Sequence, residues 1–285
     1  MSKPERIGII GLGIIGSRIA DHLRKRGHDV YVWSRSPRPV PNFLGSAQEV
    51  AQTCNVLQFF VSDDAALLQA VQSVASVLTK NHVLLFHTTV SPETIKRAGG
   101  IVTSVGAQFL EAPFTGSKVA AEKGLLVYYL GGDPALMEKM TPILLDSGKS
   151  VLSIGEAGQA AAMKLAANMM IAGYIQVLGE AMAVASSAGI SHEKIREAFS
   201  SNAINSPLLE MKLPTIIADD FSPHFTVRHL MKDLRHAASL SQPKNLATPA
   251  VDAAMASLKR AEQKGHLDDD FSIMAKLAAQ SGDAA

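Results

Sequence analysis

A strand-like run, Ile7–Ile10, leads straight into Gly11-Leu12-Gly13-Ile14-Ile15-Gly16, and a helical pattern, Ile14 to Arg26, follows. This G-x-G-x-x-G, set between strand and helix, constrains the chain more than any other feature. Gly11 permits the tight turn, Gly13 lets backbone approach a pyrophosphate, and Gly16 lets the helix pack close to the sheet. The start of the helix turns N–H groups and a partial positive charge toward an anion. A glycine turn that only packs would share the spacing. The position at the start of a β–α–β unit favours a dinucleotide loop made by Gly11, Gly13, Ile14, Ile15 and Gly16.

The end of the second strand, Val30–Trp33, bears on which dinucleotide. An NAD site usually places Asp or Glu about 20 residues beyond the loop, where it binds the ribose 2′-hydroxyl. Here the segment reads Ser34-Arg35-Ser36-Pro37-Arg38, with no carboxylate between Asp29 and Glu49. Arg35 offers a planar cation for a 2′-phosphate, and Ser34 and Ser36 add hydroxyls. A solvated surface arginine is the alternative. The expected cofactor is NADP(H).

Strand and helix patterns continue to alternate up to Ile154. Val56–Val61 and Val83–Thr88 read as strands around the helical run Ala65 to Leu78. Phe109–Leu110, Leu125–Leu130 and Ser150–Ile154 read as strands around the helix Pro134 to Leu145. Such alternation predicts an α/β Rossmann-type domain with a mostly parallel sheet. After Gly155 the strand signals stop. Ala157 to Ala188 reads as one long helix, apolar on most faces, which predicts burial between domains or against a second subunit. Ser191–Ser200, with Ser191 as N-cap, then Thr226–Ser241, Pro249–Gln263 and Asp270–Gln280 complete an all-α region. The expected organisation is 1–156 dinucleotide-binding, 157–188 interdomain helix and 189–285 all-α.

Composition narrows the class further. The 285 residues carry 27 Lys plus Arg against 26 Asp plus Glu, which leaves no basic footprint for nucleic acid. Hydrophobic residues make up 47%, enough for a packed core. A single cysteine, Cys54, excludes an internal disulfide and a Cys-rich zinc site. The apolar stretches are interrupted by Gly, Lys or Asn, so no membrane span is expected, and the chain reads as cytoplasmic. His224, His229 and His236 show no ligand pattern, so no metal is expected. Met163, Met169, Met170 and Met182 read as helix packing.

Lys164 and Asn168 stand i and i+4 on the long helix, among Ala, Met and Leu. On spacing alone such a lysine reads as one that snorkels to water. Several further motifs surround this pair in the chain. They are Thr88-Thr89-Val90-Ser91-Pro92-Glu93-Thr94, Glu111-Ala112-Pro113-Phe114-Thr115-Gly116-Ser117-Lys118, Lys232-Asp233-Leu234, and Leu267-Asp268 with Asp270-Phe271-Ser272. In this order, with the glycine loop, they resemble the β-hydroxyacid dehydrogenases, which include 3-hydroxyisobutyrate dehydrogenase-like enzymes. The branch most resembled is the glyoxylate/succinic semialdehyde reductases.

The resemblance implies an oxidoreductase acting on a small anionic aldehyde or hydroxyacid, as a homodimer or tetramer. Lys164 then matches the catalytic lysine, and Asn168 the residue that orients substrate. Thr115, Gly116 and Ser117 match the loop that holds a substrate carboxylate, and Thr89 a residue beside both nicotinamide and substrate. Phe225 matches an apolar wall, Lys232 a lysine that reaches the cofactor, and Asp233 a residue beside the active site. Thr115 stands where the family usually has Ser, Ala160 where it often has Gly, and Phe114 replaces a smaller residue. The alternatives are 3-hydroxyisobutyrate-type oxidation, imine reduction, and a non-catalytic binding protein on the same fold. The resemblance places Lys164 against the last two, whose members replace or lose that lysine.

Overall fold

The computed structural model describes residues 5–278. The chain divides into two compact units, Met1–Lys164 and Leu165–Ala285. The boundary falls inside a helix that belongs to both.

The first unit is built on one sheet. Its parallel strands are β1 (Arg6–Ile10), β2 (Asp29–Trp33), β3 (Val56–Phe59), β4 (Val83–Phe86) and β5 (Gln108–Glu111), in spatial order β2-β1-β3-β4-β5. β7 (Leu126–Gly132) joins β5 antiparallel, pairs with the two-residue β6 (Phe114–Thr115), and carries the parallel β8 (Gly148–Gly155). The mostly parallel Rossmann-type expectation holds. Side chains alternate between faces, so the central parallel strands feed two cores. On β4, Val83 and Leu85 join one core while Leu84 and Phe86 join the other. The first face is covered by α1 (Gly16–Lys25), α5 (Lys118–Glu122) and α6 (Pro134–Leu145). The second is covered by α2 (Ala47–Thr53), α3 (Asp64–Val74) and α4 (Pro92–Ser104).

Three of these helices escape a sequence reading. α2 and α5 are too short to show a period. α4 is interrupted by Gly99-Gly100, but a Cβ at Gly99 would lie 2.2 Å from the Phe109 ring, so glycine is what lets the helix lie flush on β5. Cys54, at the end of α2, is a packing residue whose thiol is pushed up to about 12 by burial.

In the second unit, α7 (Gln159–Ser187) leads into α8 (His192–Ser200), α9 (Pro207–Ile217), α10 (Val227–Ser241), α11 (Pro249–Gln263) and α12 (Met274–Ala278). The Ser191 hydroxyl accepts from Lys194 N at 3.3 Å, as expected of an N-cap. α9 was not expected, because Lys212 and Pro214 interrupt its apolar run. Positions 279–280 of the last expected helix lie outside the described residues.

α7 bears on two expectations. By length and composition it is long and apolar enough to cross a membrane, the one such helix among the described residues. Gly173 and Gly179 do not break it. A Cβ at Gly179 would lie 2.2 Å from the Ala275 carbonyl oxygen, so this glycine permits close packing of α7 on α12. One face of α7 places Ala172, Ile175, Leu178 and Met182 in the core of the second unit. The opposite face is open. Met163 and Met170 are not packed, and Met170, Val177 and Val184 are 76%, 60% and 71% exposed.

Candidate functional site

The glycine loop lies at the end of β1, where the strand order turns from β2 to β3. Ligands bind at such a switch point in open α/β sheets. Gly11 N donates to the Trp33 carbonyl at 2.8 Å, and Phe60 N to the Ile10 carbonyl at 2.8 Å. The loop is thereby held between the strands on both sides. Gly11 has φ +107°, and a Cβ there would lie 2.1 Å from the Phe60 carbonyl oxygen. No residue but glycine fits. A Cβ on Gly13 would meet nothing within 4 Å, so one side of the turn is open. The first backbone bond of the helix runs from Ser17 N to the Gly13 carbonyl, so the Gly13–Gly16 amides precede the helical ladder. No carboxylate stands in the first turn of α1. An open cradle of backbone amides at an uncompensated helix start fits a dinucleotide pyrophosphate.

Beyond β2, the Ser34 hydroxyl donates to the Ser36 carbonyl at 2.8 Å and closes a small turn. That turn carries Arg35 and Arg38, both exposed. The arrangement presents guanidinium groups where an acidic ribose-binding residue is absent.

Thr89 is half-buried just past β4. Its neighbour His87 is fully buried, with Nδ1 donating to the Ala112 carbonyl at 2.8 Å and the ring stacked on Phe60 at 4.3 Å. Burial lowers the His87 pKa to about 3, so the ring is neutral near pH 7. Thr115 ends β6, Gly116 is exposed with φ +130°, and Ser117 precedes α5. A Cβ at Gly116 would lie 2.7 Å from Leu126, so this turn also requires glycine.

α7 starts without a capping side chain of its own, since Gly158 occupies the position before it. Glu111, at the end of β5 and fully buried, takes over. One oxygen accepts from Gly158 N at 2.7 Å and Ala160 N at 2.9 Å, and the other from Ala161 N at 3.0 Å. Burial pushes the Glu111 carboxyl above its ordinary range, while these three amides and Lys96 pull the other way. Ala160, one of the departures from the family pattern, is fully buried here. Lys164 follows within the second turn and is half-buried.

In the second unit, Asn168 is 1% and Asp233 2% exposed. Asn168 Nδ2 donates to Asp233 Oδ2 at 2.6 Å, and Lys232 Nζ lies 3.0 Å from Asp233 Oδ1. Three residues that the resemblance singled out, far apart in the chain, therefore form one cluster. Phe225 stacks on His229 at 6.2 Å and meets Phe271 edge-on at 5.7 Å. Its loop is fastened by Asp270, which accepts from His224 N at 3.0 Å and Phe225 N at 3.2 Å. Asp270 also takes Lys212 Nζ at 2.6 Å and the Ser272 hydroxyl at 2.7 Å. His229 is held below its ordinary pKa, first by burial and then by Lys232. Among the described residues no group of His, Cys, Asp and Glu could hold a metal ion.

Glu111, Lys212 and Asp270 carry clear structural roles that the spacing of residues did not disclose. Each acts on a partner 45 or more residues away, except for the local turn at Ser272.

Two family profiles match the chain. Residues 6–155 match the NAD binding domain of 6-phosphogluconate dehydrogenase. Residues 158–278 match the NAD-binding region of NADP-dependent 3-hydroxyisobutyrate dehydrogenase. The chain is 35% identical to glyoxylate/succinic semialdehyde reductase 2, chloroplastic, of Arabidopsis thaliana, over 98% of the chain and 81% of that protein. It is 31% identical to the human cytokine-like nuclear factor N-PAC over 95% of the chain, and spans 51% of that protein's length. Among solved structures, a 3-hydroxyisobutyrate dehydrogenase from Salmonella typhimurium superposes with a TM-score of 0.86 at 23% identity. That match covers 96% of this chain and 99% of the other.

Proposed function

Since this chain belongs to the β-hydroxyacid dehydrogenase family, we propose that it is an NADPH-dependent reductase of small aldehydes that bear a carboxylate. Glyoxylate and succinic semialdehyde, named in the Arabidopsis relative, are the substrates proposed first. The reading is supported by the open glycine cradle, and by Lys164 one helical turn before Asn168 on the same helix, with Asn168 bonded to Asp233.

The residues divide the work. Gly11, Gly13, Ile14, Ile15 and Gly16 would hold the pyrophosphate, Ser34, Arg35 and Ser36 the 2′-phosphate, and Thr89 and Lys232 the nicotinamide end. Bound there, the reduced dinucleotide supplies the hydride that the carbonyl carbon accepts. Lys164 passes a proton from Nζ to the carbonyl oxygen as charge develops on it, so carbonyl, hydride and proton together give the hydroxyl. Thr115, Gly116 and Ser117 grip the carboxylate and turn a random encounter into an oriented one. Asn168 orients the substrate, and Phe225 forms an apolar wall. Asp233 fixes Asn168 and offsets the charge of Lys232.

The test is NADPH oxidation at 340 nm with glyoxylate, succinic semialdehyde and an uncharged aldehyde, with NADH in parallel. The reading requires faster turnover with NADPH and with the anionic aldehydes. Equal use of the uncharged aldehyde would remove the carboxylate loop from the argument. The second reading, oxidation of a 3-hydroxyisobutyrate-type acid, is favoured by the profile matched at 158–278. Reduction of NADP+ with that acid, and no oxidation of NADPH with the aldehydes, would establish it.

Arg35 has its own expected result. Arg35→Asp should raise the KM for NADPH about tenfold or more, near 1.4 kcal/mol, and leave the KM for NADH unchanged or lower. Equal losses with both cofactors would place the 2′-phosphate elsewhere.

The open face of α7 supports self-association. Met170, Val177 and Val184 recur every seven residues, the spacing of a helix seam that packs on another helix. We assign this seam to a homodimer. Val177→Glu with Val184→Glu should yield a monomer by sedimentation equilibrium, and an unchanged mass would dismiss the seam.

A further inference from the structure

We infer that Glu111 is a positioning residue for Lys164: its buried carboxylate fixes the start of α7 on β5, and so sets where the lysine amine stands relative to the Thr115–Ser117 turn. This rests on the functional reading above.

An α-helix begins with four N–H groups that have no partner within the helix. In α7, Gln159 N bonds the Glu156 carbonyl at 3.0 Å, and the first regular bond is Ala162 N to the Gly158 carbonyl at 3.1 Å. The other three, Gly158, Ala160 and Ala161, all converge on Glu111. A cap usually comes from the residue just before the helix. Gly158 has no side chain to serve, and the carboxylate that replaces it lies 47 residues earlier in the chain. Room for it is built in. A Cβ at Gly131 on β7 would fall 2.0 Å from Glu111 Oε1.

The placement matters because two candidate functional elements leave from this point. β5 ends at Glu111, and the chain reaches Thr115 four residues later. α7 reaches Lys164 three residues after Ala161. A carboxylate bonded to three amides allows the helix start little freedom to slide or rotate. A cap satisfied by water would leave that freedom, and proton transfer is sensitive to misplacement of about an ångström.

The test uses the full chain with Glu111→Gln, which keeps the size but turns an NH2 group toward backbone donors. Hydrogen exchange should show lost protection at Gly158, Ala160 and Ala161. The kcat should fall at least tenfold while the NADPH dissociation constant stays within twofold. The acylation rate of the Lys164 amine, followed by mass spectrometry, should change threefold or more. Gly131→Ala should reproduce these effects in weaker form, and serves as the test if Glu111→Gln does not fold. Lost amide protection together with unchanged kcat and unchanged Lys164 acylation would overturn the inference. If the native chain reduces no aldehyde and oxidises no hydroxyacid, the functional reading fails, and the acylation rate alone judges whether Glu111 positions Lys164.

Discussion

Lys164→Met should lower kcat by about two to four orders of magnitude, the usual contribution of a positioned general acid. Methionine keeps an unbranched apolar stem of similar length and removes the ammonium group, with its charge and its transferable proton. The half-buried helix face should accept it, so folding and NADPH affinity should stay close to native. This separation is the informative part. A lysine that only snorkels to water would lose little activity on replacement. A lysine that binds the cofactor would lose affinity first. Measured kcat, KM and a fluorescence-derived NADPH dissociation constant distinguish the three. A kcat within a factor of ten of native would end the assignment of Lys164 as proton donor. Survival of NADPH binding without turnover would also show how little separates a catalyst from a binding protein on this fold.

Breaking the Lys212–Asp270 pair should cost about 3–5 kcal/mol, since removal of one partner leaves a buried charge uncompensated. Lys212 and Asp270 side chains are 4% and 2% exposed. Asp270→Asn should be the more damaging change. It leaves Lys212 buried and turns an NH2 group toward the amides of His224, Phe225 and Ser272. The Phe225 loop would loosen with it, raising the substrate KM as well. Burial raises the Asp270 pKa, but Lys212 and the Ser272 bonds outweigh it, so the folded-state value is depressed. The stabilisation is therefore complete above the ordinary carboxylate value of about 3.9 and is lost as pH falls through the lower folded value. Urea midpoints should differ widely between native and Asp270→Asn at pH 7, and the gap should narrow below about pH 4. A difference under about 1 kcal/mol at neutral pH would mean that the pair is not buried as described.

The glycine loop, the alternation of strand and helix, and the change to an all-helical second half were legible because each is a local pattern. Gly11 must be glycine whatever surrounds it, and the apolar run at β4 reads as a buried strand from its own residues. The Lys164/Asn168 spacing was equally plain, but its meaning was not. Helical geometry says that the two share a face and cannot say what they face. Asn168 gained a definite partner only when folding brought Asp233, 65 residues later, within 2.6 Å. Helix α9 stayed hidden because a lysine and a proline interrupt its period, and Lys212 is tolerated there because Asp270, 58 residues later in the chain, lies 2.6 Å from its amine. The open seam of Met170, Val177 and Val184 was likewise undecidable, since an apolar helix looks the same whether its neighbours cover one face or all of it.

Local sequence thus determined most of the element types and the glycine loop, because backbone sterics and apolar periodicity act over a few residues, while the candidate site residues came from the family resemblance. Tertiary structure alone decided which carboxylate meets which donor. Buried ion pairs and remote helix caps depend on distances that close only when segments far apart in the chain pack together.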